Sequence, residues 1–261
     1  MFWILQKNLY AEEGFKHLVE QLDRQGSQYQ IVNMIPFAHE IDPDVNPTGN
    51  VFVLGATALG KVARKKGWYP GYIDANISYR KLIDNYDKNV LNFDAYILQI
   101  KTFLEELSFI PWDPVFVRPD NDGKSFAGEV MSIKQLKEWL VKVRNLEGEN
   151  SFTSITVDDD IVVAPLQDIN AEYRFFVVNG KVITGSRYKL GSRVSYSSMV
   201  EPQVYDFAQK MVNIWSPNQA FAIDIALTPS GFKVIEINSI NSAGFYHCDM
   251  GKFIHAIENM T

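Results

Sequence analysis

The chain lacks several features that mark whole classes of protein. It has 261 residues and a single cysteine, Cys248, which excludes an internal disulfide framework and a cysteine-based zinc site. Its 25 Lys and Arg residues stand against 31 Asp and Glu residues, and this acidic balance argues against a nucleic-acid partner. No apolar run approaches the roughly 20 residues of a membrane span, and no signal-peptide pattern begins the chain. We therefore expect a cytoplasmic protein without a membrane partner.

Two kinds of catalytic apparatus are also missing. The 4 histidines, His17, His39, His247 and His255, have no spacing typical of metal ligands. No nucleophile and base stand together in a recognisable motif. What remains is an ordinary globular composition, with 46% hydrophobic and 21% charged residues. A catalytic role would therefore rest on binding and positioning rather than on covalent chemistry of the protein itself.

The order of strand and helix patterns predicts two kinds of domain. The first third alternates strands and helices, which favours a parallel α/β sheet, whereas the second half is rich in strands. Between them, residues 92–109 and 132–146 have the spacing of amphipathic helices. We predict an α/β domain over residues 1–85 and an α+β domain over residues 86–261.

A glycine motif in the first domain matches a known phosphate-binding pattern. Gly55, Gly60 and Lys61 follow a predicted strand as G-x-x-x-x-G-K. The next position holds Val62, where a phosphate-binding loop has the Ser or Thr that contacts Mg²⁺. The alternative interpretation is a strand-to-helix turn that needs glycine, and we favour it.

Polar residues interrupt two apolar strands near the C-terminus. In "AFAIDIALTPSGFKVIEIN", residues 220–238, the polar side chains are Asp224, Glu236 and Asn238. Their donors are all oxygen or amide groups, which Mg²⁺ or Mn²⁺ prefers over zinc. A cation would also relieve the repulsion between two carboxylates on one face. The competing interpretation is a half-exposed hairpin, which also has one polar and one apolar face.

The metal hypothesis depends on the length of the hairpin loop. A three-residue loop ending at Gly231 would pair Asp224 with Glu236, with Cβ atoms about 5 Å apart. A two-residue loop would pair Asp224 with Ile235 and place the two carboxylates on opposite faces. The glycine favours the three-residue loop, because such loops need a left-handed residue.

A second hairpin supplies basic groups. "EYRFFVVNGKVITGSRY" contains an Asn-Gly turn, and the register from that turn places Glu172 opposite Arg187 and Arg174 opposite Gly185. Two guanidiniums on one face suit bidentate binding of phosphate. The alternative is a surface ion pair, which contributes less than about 1 kcal/mol. Residues 186–198, which include Lys189 and Arg193, are interpreted as a mobile loop over the acceptor site.

Together these parts resemble a known family. The order is a βα domain, a strand that ends in Arg118 before a glycine-bearing loop, the hairpin just described, and finally "D…EIN". This resembles the ATP-grasp superfamily, in the branch common in bacteriophages and bacteria that is related to ribosomal-protein modification ligases. The resemblance covers most of the chain and is most specific over residues 172–241. It implies a pre-ATP-grasp domain followed by a two-lobed ATP-grasp domain, and the host cytoplasm as location if the gene is phage-encoded.

The resemblance also implies roles for particular residues. Asp224, Glu236 and Asn238 would hold Mg²⁺ (or Mn²⁺), and Arg174 and Arg187 would grip phosphates or an acyl phosphate as catalytic groups. ATP would lie between the two lobes. The residues implied in binding it are Arg118, Lys124, Ala164, Pro165, Leu166, Asp168 and Glu172.

Three details of this nucleotide site depart from the family's pattern or stay open. Arg118 stands where most of the superfamily has lysine, and the two are not equivalent phosphate ligands. No second ATP-binding lysine precedes the hinge strand around Pro165. Either Asp168 or Glu172 would take the ribose hydroxyls.

The implied function is an ATP- and Mg²⁺-dependent ligase that joins a carboxylate to an amine through an acyl phosphate. The substrates would be an amino acid or a peptide or protein terminus. Two alternatives remain on the same fold: an ATP-dependent phosphotransferase and a nucleotide-binding regulator without turnover. The product mixture separates them, because only the ligase releases ADP and phosphate in response to both a carboxylate and an amine.

Overall fold

The protein has two compact units in a computed structural model that describes residues 1–8, 12, 14–36, 38–75, 77–121, 125–147 and 155–260. The first unit combines Met1–Ala75 with Ile169–Thr261, and the second is Asn76–Asp168. The domain boundary after residue 85 stays a prediction. Among the described residues, no helix has the length and hydropathy that crossing a membrane demands.

The first unit begins with a mostly parallel sheet. Its strands are β1 (Phe2–Gln6), β2 (Gln28–Ile35), β3 (Glu40–Asp42), β4 (Val51–Leu54) and β5 (Pro70–Gly71), in the order β3-β2-β1-β4-β5. Every neighbouring pair is parallel except β2–β3, which confirms the predicted α/β start. Helices α1 (Phe15–Gln25) and α2 (Thr57–Lys66) pack on opposite faces of this sheet, because successive strand side chains alternate.

The second unit is an antiparallel sheet with helices on one face. It contains α3 (Tyr79–Tyr86), β6 (Tyr96–Gln99), α4 (Ile100–Glu105), β7 (Val115–Pro119), β8 (Glu129–Met131), α5 (Ile133–Glu147) and β9 (Asp160–Pro165). The strand order is β6-β9-β7-β8. Side chains of α4 and α5 form one core with alternate residues of β7 and β9.

The helix predicted over residues 92–109 is wrong in its first half. Residues 96–99 form β6, which pairs with β9, and only Ile100–Glu105 is helical. The local apolar spacing suits a helix, but pairing with a strand more than 60 positions later decides the conformation of this segment. The predicted helix at 132–146 is confirmed as α5.

The first unit ends with a five-stranded antiparallel sheet. Its elements are β10 (Ala171–Val178), β11 (Lys181–Leu190), β12 (Arg193–Ser197), α6 (Pro202–Ile214), β13 (Ala220–Thr228), β14 (Gly231–Asn238) and α7 (Met250–Glu258). The strand order is β12-β11-β10-β13-β14. One face of this sheet shares a core with β1, β4, α1 and α7. The first and last parts of the chain therefore fold around one another.

One buried amide ties these two parts together. Asn241 is 1% exposed, and its Nδ2 donates to the carbonyl oxygens of Val53 at 2.6 Å and Gly71 at 3.2 Å. Its Oδ1 accepts from the backbone N–H of Ile73 at 2.8 Å. Three backbone groups of the first 75 residues thus depend on one side chain after β14.

Replacing that side chain should destabilise the first unit. Asn241→Ala leaves three backbone polar groups without partners, so we expect a loss of about 3 kcal/mol in the free energy of unfolding. The exposed amide Asn213, on α6, offers a matched control, and Asn213→Ala should change stability by less than about 0.5 kcal/mol. Denaturant unfolding of both variants tests this, and equal losses would show that Asn241 has no special role.

Candidate active site

A row of charged side chains crosses three neighbouring strands of the second sheet in the first unit. Arg174 on β10 pairs with Asp224 on β13, and Asp224 pairs with Glu236 on β14. Arg174 Nε lies 2.8 Å from Asp224 Oδ1, and Nη2 lies 2.7 Å from Oδ2. This is a bidentate guanidinium–carboxylate pair, which is the strongest common ionic hydrogen-bond geometry.

The pairing of Asp224 with Glu236 is confirmed, but not for the predicted reason. Thr228 pairs with Gly231, so the loop is the two-residue alternative. A register shift between Asp224 and Ile225 leaves one extra residue in β14, which restores the carboxylate pair. A β-bulge of this kind changes which face every following side chain occupies. Gly231 does have a positive φ of 107°, yet it belongs to the strand.

Burial excludes the half-exposed hairpin for Asp224. Its exposed fraction is 1%, and that of Arg174 is 8%. On the same face, the next pair towards the core is Phe176 with Ala222, and both are fully buried. The face therefore changes from hydrocarbon to charge within one strand step. Burial raises the pKa of the Asp224 carboxyl, and the Arg174 guanidinium opposes that rise.

Glu236 and Asn238 provide oxygen atoms that suit Mg²⁺. Asn238 Nδ2 donates to Glu236 Oε1 at 3.0 Å, which leaves the amide oxygen of Asn238 directed away from that bond. Asp224 uses both carboxylate oxygens on Arg174. No group of three His, Cys, Asp or Glu side chains suited to a metal exists within the described ranges. The set fits a cation held by few protein groups, as Mg²⁺ often is when phosphates and water complete its shell.

The predicted register of the second hairpin is wrong, and Arg187 does not join Arg174. Two register shifts in the β10–β11 pair place Arg174 opposite Ser186 and Tyr173 opposite Arg187. Because paired residues share a face and neighbours alternate, Arg187 lies on the other side of the sheet from Arg174. Its Nη2 donates to Ser195 Oγ at 3.3 Å. The two guanidiniums therefore do not form one clamp.

Glu172 is engaged within the sheet. Lys189 Nζ lies 2.7 Å from Oε1, and the Tyr188 hydroxyl donates to Oε2 at 2.7 Å. Its exposed fraction is 9%, whereas Asp168 is exposed and belongs to the second unit. Of the two ribose candidates, Asp168 has the carboxylate that is open to solvent.

The segment interpreted as a mobile loop is a hairpin. Residues 181–190 and 193–197 form β11 and β12, which pair from Arg187 to Ser197. Arg193 pairs with Leu190 and is exposed. Two register shifts in β11 hide the alternation that would have marked this strand in the sequence.

The remaining predicted nucleotide contacts lie in the second unit. Arg118 is half-buried near the end of β7, with its guanidinium carbon 5.2 Å from the centroid of the Tyr79 ring. Ala164 is fully buried in β9, Pro165 ends that strand, and Leu166 is 47% exposed. Lys124 lies outside the described residues.

The glycine motif before α2 does not offer a phosphate cradle. The backbone N–H of Gly55 donates to the carbonyl of Asn241 at 2.8 Å, and that of Ala56 donates to Gln6 Oε1 at 2.9 Å. These are the groups that a phosphate-binding loop would turn to its ligand. A side chain at Gly55 would collide with Gln6, since an added Cβ would lie 2.5 Å from Oε1. The glycine is there for close packing, as favoured above.

Two tyrosines beside Arg174 were missed in the sequence. Tyr188 is the extra residue at a register shift in β11, and Tyr246 follows β14 in a loop. Both rings lie within 6 Å of the Arg174 guanidinium carbon. No periodic pattern marks either residue, because a bulge and a loop have none.

Comparison with known proteins identifies relatives at the level of family and fold. The family model of the ATP-grasp domain, clade family 2, matches residues 101–256. The curated proteins contain no match.

Three solved structures resemble the whole chain. The ATP-grasp ligase PsnB, complexed with minimal precursor, Mg and ADP, is 13% identical over 98% of this chain and 97% of its own, with a TM-score of 0.57. D-cycloserine synthetase DcsG is 11% identical over 98% of both chains, with a TM-score of 0.63. A RimK domain protein from Sphaerobacter thermophilus is 12% identical over 93% and 92%, with a TM-score of 0.61. At these identities the likeness establishes the fold, which confirms the predicted architecture.

Removing Arg174 should produce a pH-dependent loss of stability. In Arg174→Leu the buried Asp224 loses its partner, and we expect about 3–5 kcal/mol less stability at pH 7. The pKa of Asp224 then rises further above its value in the unfolded chain. A group with a raised pKa in the folded state stabilises fully below its unfolded pKa, and this stability is lost as pH rises through the folded pKa. The deficit should therefore shrink towards acid pH.

Arg187→Leu is the matched control, because it removes a guanidinium from the other face of the same sheet. Its stability loss should be smaller and should not recover at acid pH. Denaturant unfolding at several pH values measures both. A deficit in Arg174→Leu that is independent of pH would contradict the assigned ion pair.

Cys248 should behave as an inert thiol. Its exposed fraction is 8%, and burial raises its pKa to about 12. Since the thiolate is the reactive form, iodoacetamide at pH 8 should label the native protein far more slowly than the urea-unfolded chain. Equal labelling rates, followed by mass spectrometry, would show that the thiol is accessible and ionised.

Proposed function

This chain belongs to the ATP-grasp domain, clade family 2, as an ATP-dependent C–N ligase, and we propose that it joins a carboxylate to an amine through an acyl phosphate. The substrate carboxylate attacks the terminal phosphorus of ATP and releases ADP. The amine then attacks the acyl carbon, inorganic phosphate leaves, and the amine loses a proton. No covalent bond to the protein is needed, which agrees with the absence of a nucleophile–base motif from the sequence.

The observation that carries this proposal is the buried row from Arg174 to Glu236. Charged groups are expensive to bury and persist where they are paired or have a task. In this proposal, Arg174 provides a fixed positive charge beside the transferring phosphoryl group, and Asp224 holds that guanidinium in place. Positive charge that is already oriented lowers the barrier, since no rearrangement is needed when negative charge develops.

We assign Glu236 and Asn238 as the groups that would hold Mg²⁺. Bound there, the cation would neutralise charge on the phosphates. Asn238 keeps the Glu236 carboxylate oriented through the bond at 3.0 Å. Arg187 has no part in this assignment, because it lies on the other face of the sheet.

The substrates proposed are an amino acid or a peptide or protein terminus. Two of the similar structures act on small or peptide molecules by name: one is a D-cycloserine synthetase, and the other is a ligase complexed with a precursor. Those names describe the similar proteins. For this chain they support a screen of amino acids and peptides as donors of both the carboxylate and the amine.

Calorimetric titration of ATP tests the metal assignment. Glu236→Gln keeps the shape of the side chain and an acceptor for Asn238, but it removes the charge that attracts a cation. We expect ATP affinity in the presence of Mg²⁺ to fall by about tenfold or more, the scale of changes at metal sites. With EDTA present, the wild type and the variant should bind ATP equally.

Lys61→Ala is the control, because it removes the lysine of the rejected phosphate-binding loop. It should bind ATP as the wild type does. Unchanged Mg²⁺-dependent affinity in Glu236→Gln would overturn the metal assignment, and a loss in Lys61→Ala would revive the other site. ADP release that requires both a carboxylate and an amine would establish ligation. Accumulation of a phosphorylated product without an amine requirement would replace it with phosphoryl transfer.

A further inference from the structure

Three tyrosine rings are stacked beside Arg174, and the proposed reaction does not account for them. The ring of Tyr246 lies between those of Tyr188 and Tyr196, with centroid distances of 4.9 Å and 5.3 Å. The interplanar angles are 21° and 22°, so the three rings are close to parallel. Such a stack is stable by itself, but its inner end meets a charged group.

Two of these rings contact the guanidinium of Arg174. Its carbon Cζ lies 5.1 Å from the centroid of Tyr246 and 5.8 Å from that of Tyr188. Both distances are within the range of cation–π attraction, which strengthens when water is excluded. Tyr196 has its contacts with Tyr246 and His247 instead.

The contacts of Arg174 leave one nitrogen for a ligand. Nε and Nη2 donate to Asp224, whereas Nη1 has a long contact of 3.5 Å with the carbonyl oxygen of Gly244. A guanidinium has five N–H donors in one plane, and two of them belong to Nη1. A Cβ added at Gly244 would lie 3.7 Å from Nη1, so the glycine keeps the space beside this nitrogen open. Fixing the plane of the guanidinium therefore fixes the direction in which Nη1 donates.

Tyr246 has a backbone conformation that tyrosine rarely adopts. Its φ is +50°, in the left-handed region, where Gly and Asn are common and bulky residues are outliers. Such a conformation costs free energy and persists only where the surroundings impose it. Strained residues of this kind are concentrated at functional sites.

The chain on either side of Tyr246 is held firmly. Phe245 is 2% exposed in the shared core of the first unit. The backbone N–H of His247 donates to Ser186 Oγ at 3.2 Å, and that of Asp249 donates to Thr184 Oγ1 at 2.8 Å. These anchors on β11 impose the turn that directs the ring of Tyr246 towards Arg174.

We propose that Tyr246 and Tyr188 are positioning residues that clamp the Arg174 guanidinium against Asp224 and aim Nη1 at an oxyanion of the reaction. The clamp follows from the contacts of the rings. The oxyanion rests on the proposed function, and it is either the terminal phosphate of ATP or a separate anion such as inorganic phosphate.

Three variants separate the ring from the fold. Tyr246→Asn removes the ring and keeps a residue that accepts a left-handed backbone, so its melting temperature should stay near that of the wild type. Tyr246→Phe keeps the ring and should restore wild-type behaviour. Tyr196→Leu is the matched control, since it removes a ring of the same stack that does not contact Arg174.

The first measurement needs no ligand. The Nε–H of Arg174 donates to Asp224, and its exchange with water can be followed by nuclear magnetic resonance, with Arg174→Lys to assign the signal. We expect exchange to accelerate by about tenfold in Tyr246→Asn and to be unchanged in Tyr246→Phe and Tyr196→Leu. Unchanged exchange in Tyr246→Asn would overturn the clamp. If that variant does not fold, Tyr188→Leu is judged by the same criterion.

The second measurement identifies the anion. ADP and ATP are titrated with Mg²⁺ present, and inorganic phosphate is titrated into the ADP complex. Tyr246→Asn should bind ADP normally and lose about tenfold in affinity for one of the other two probes. Loss for ATP identifies the terminal phosphate, and loss for inorganic phosphate identifies a separate anion.

Normal affinity of Tyr246→Asn for both probes would overturn the aiming of Nη1. A wild-type protein that binds no nucleotide would refute the proposed function, and the exchange measurement would still decide the clamp.

Discussion

The buried ion pair between Arg174 and Asp224 is the constraint on which the candidate site depends. Both residues lie in the middle of a five-stranded sheet and are almost inaccessible to water. A buried charge pair gives little net stability, but losing either partner leaves an uncompensated charge. The surroundings must therefore keep both partners in register, and the bulge in β14 and the two tyrosine rings do so on either side.

The position of this pair follows from the packing of the first unit. The face that carries it begins as a hydrophobic core shared with the N-terminal sheet, where Phe176 and Ala222 are fully buried. Asn241 completes the junction through backbone groups of the first 75 residues. The charges lie where the hydrocarbon ends, and this low-polarity boundary strengthens their interactions. A protein that works by fixed charge gains from that placement.

Strain and rigidity have one purpose here in our interpretation. The left-handed Tyr246 and the displaced Tyr188 both arise where regular strand geometry is broken. Regular strands would direct these rings away from Arg174. The irregular positions thus turn a common sheet into one that presents a single guanidinium nitrogen, with Glu236 and Asn238 on the same face.

The sequence by itself determined the ATP-grasp family, the parallel start, the antiparallel end, and the polar residues Arg174, Asp224, Glu236 and Asn238. The family follows from the resemblance of motifs, and the elements follow from periodicity, which is a local property of the chain. Tertiary structure decided the register. Three shifts, one in β14 and two in β11 against β10, determined that Asp224 meets Glu236 and that Arg187 leaves Arg174. A bulge costs little locally, so sequence pattern does not reveal it, whereas the packing of both faces of the sheet selects it.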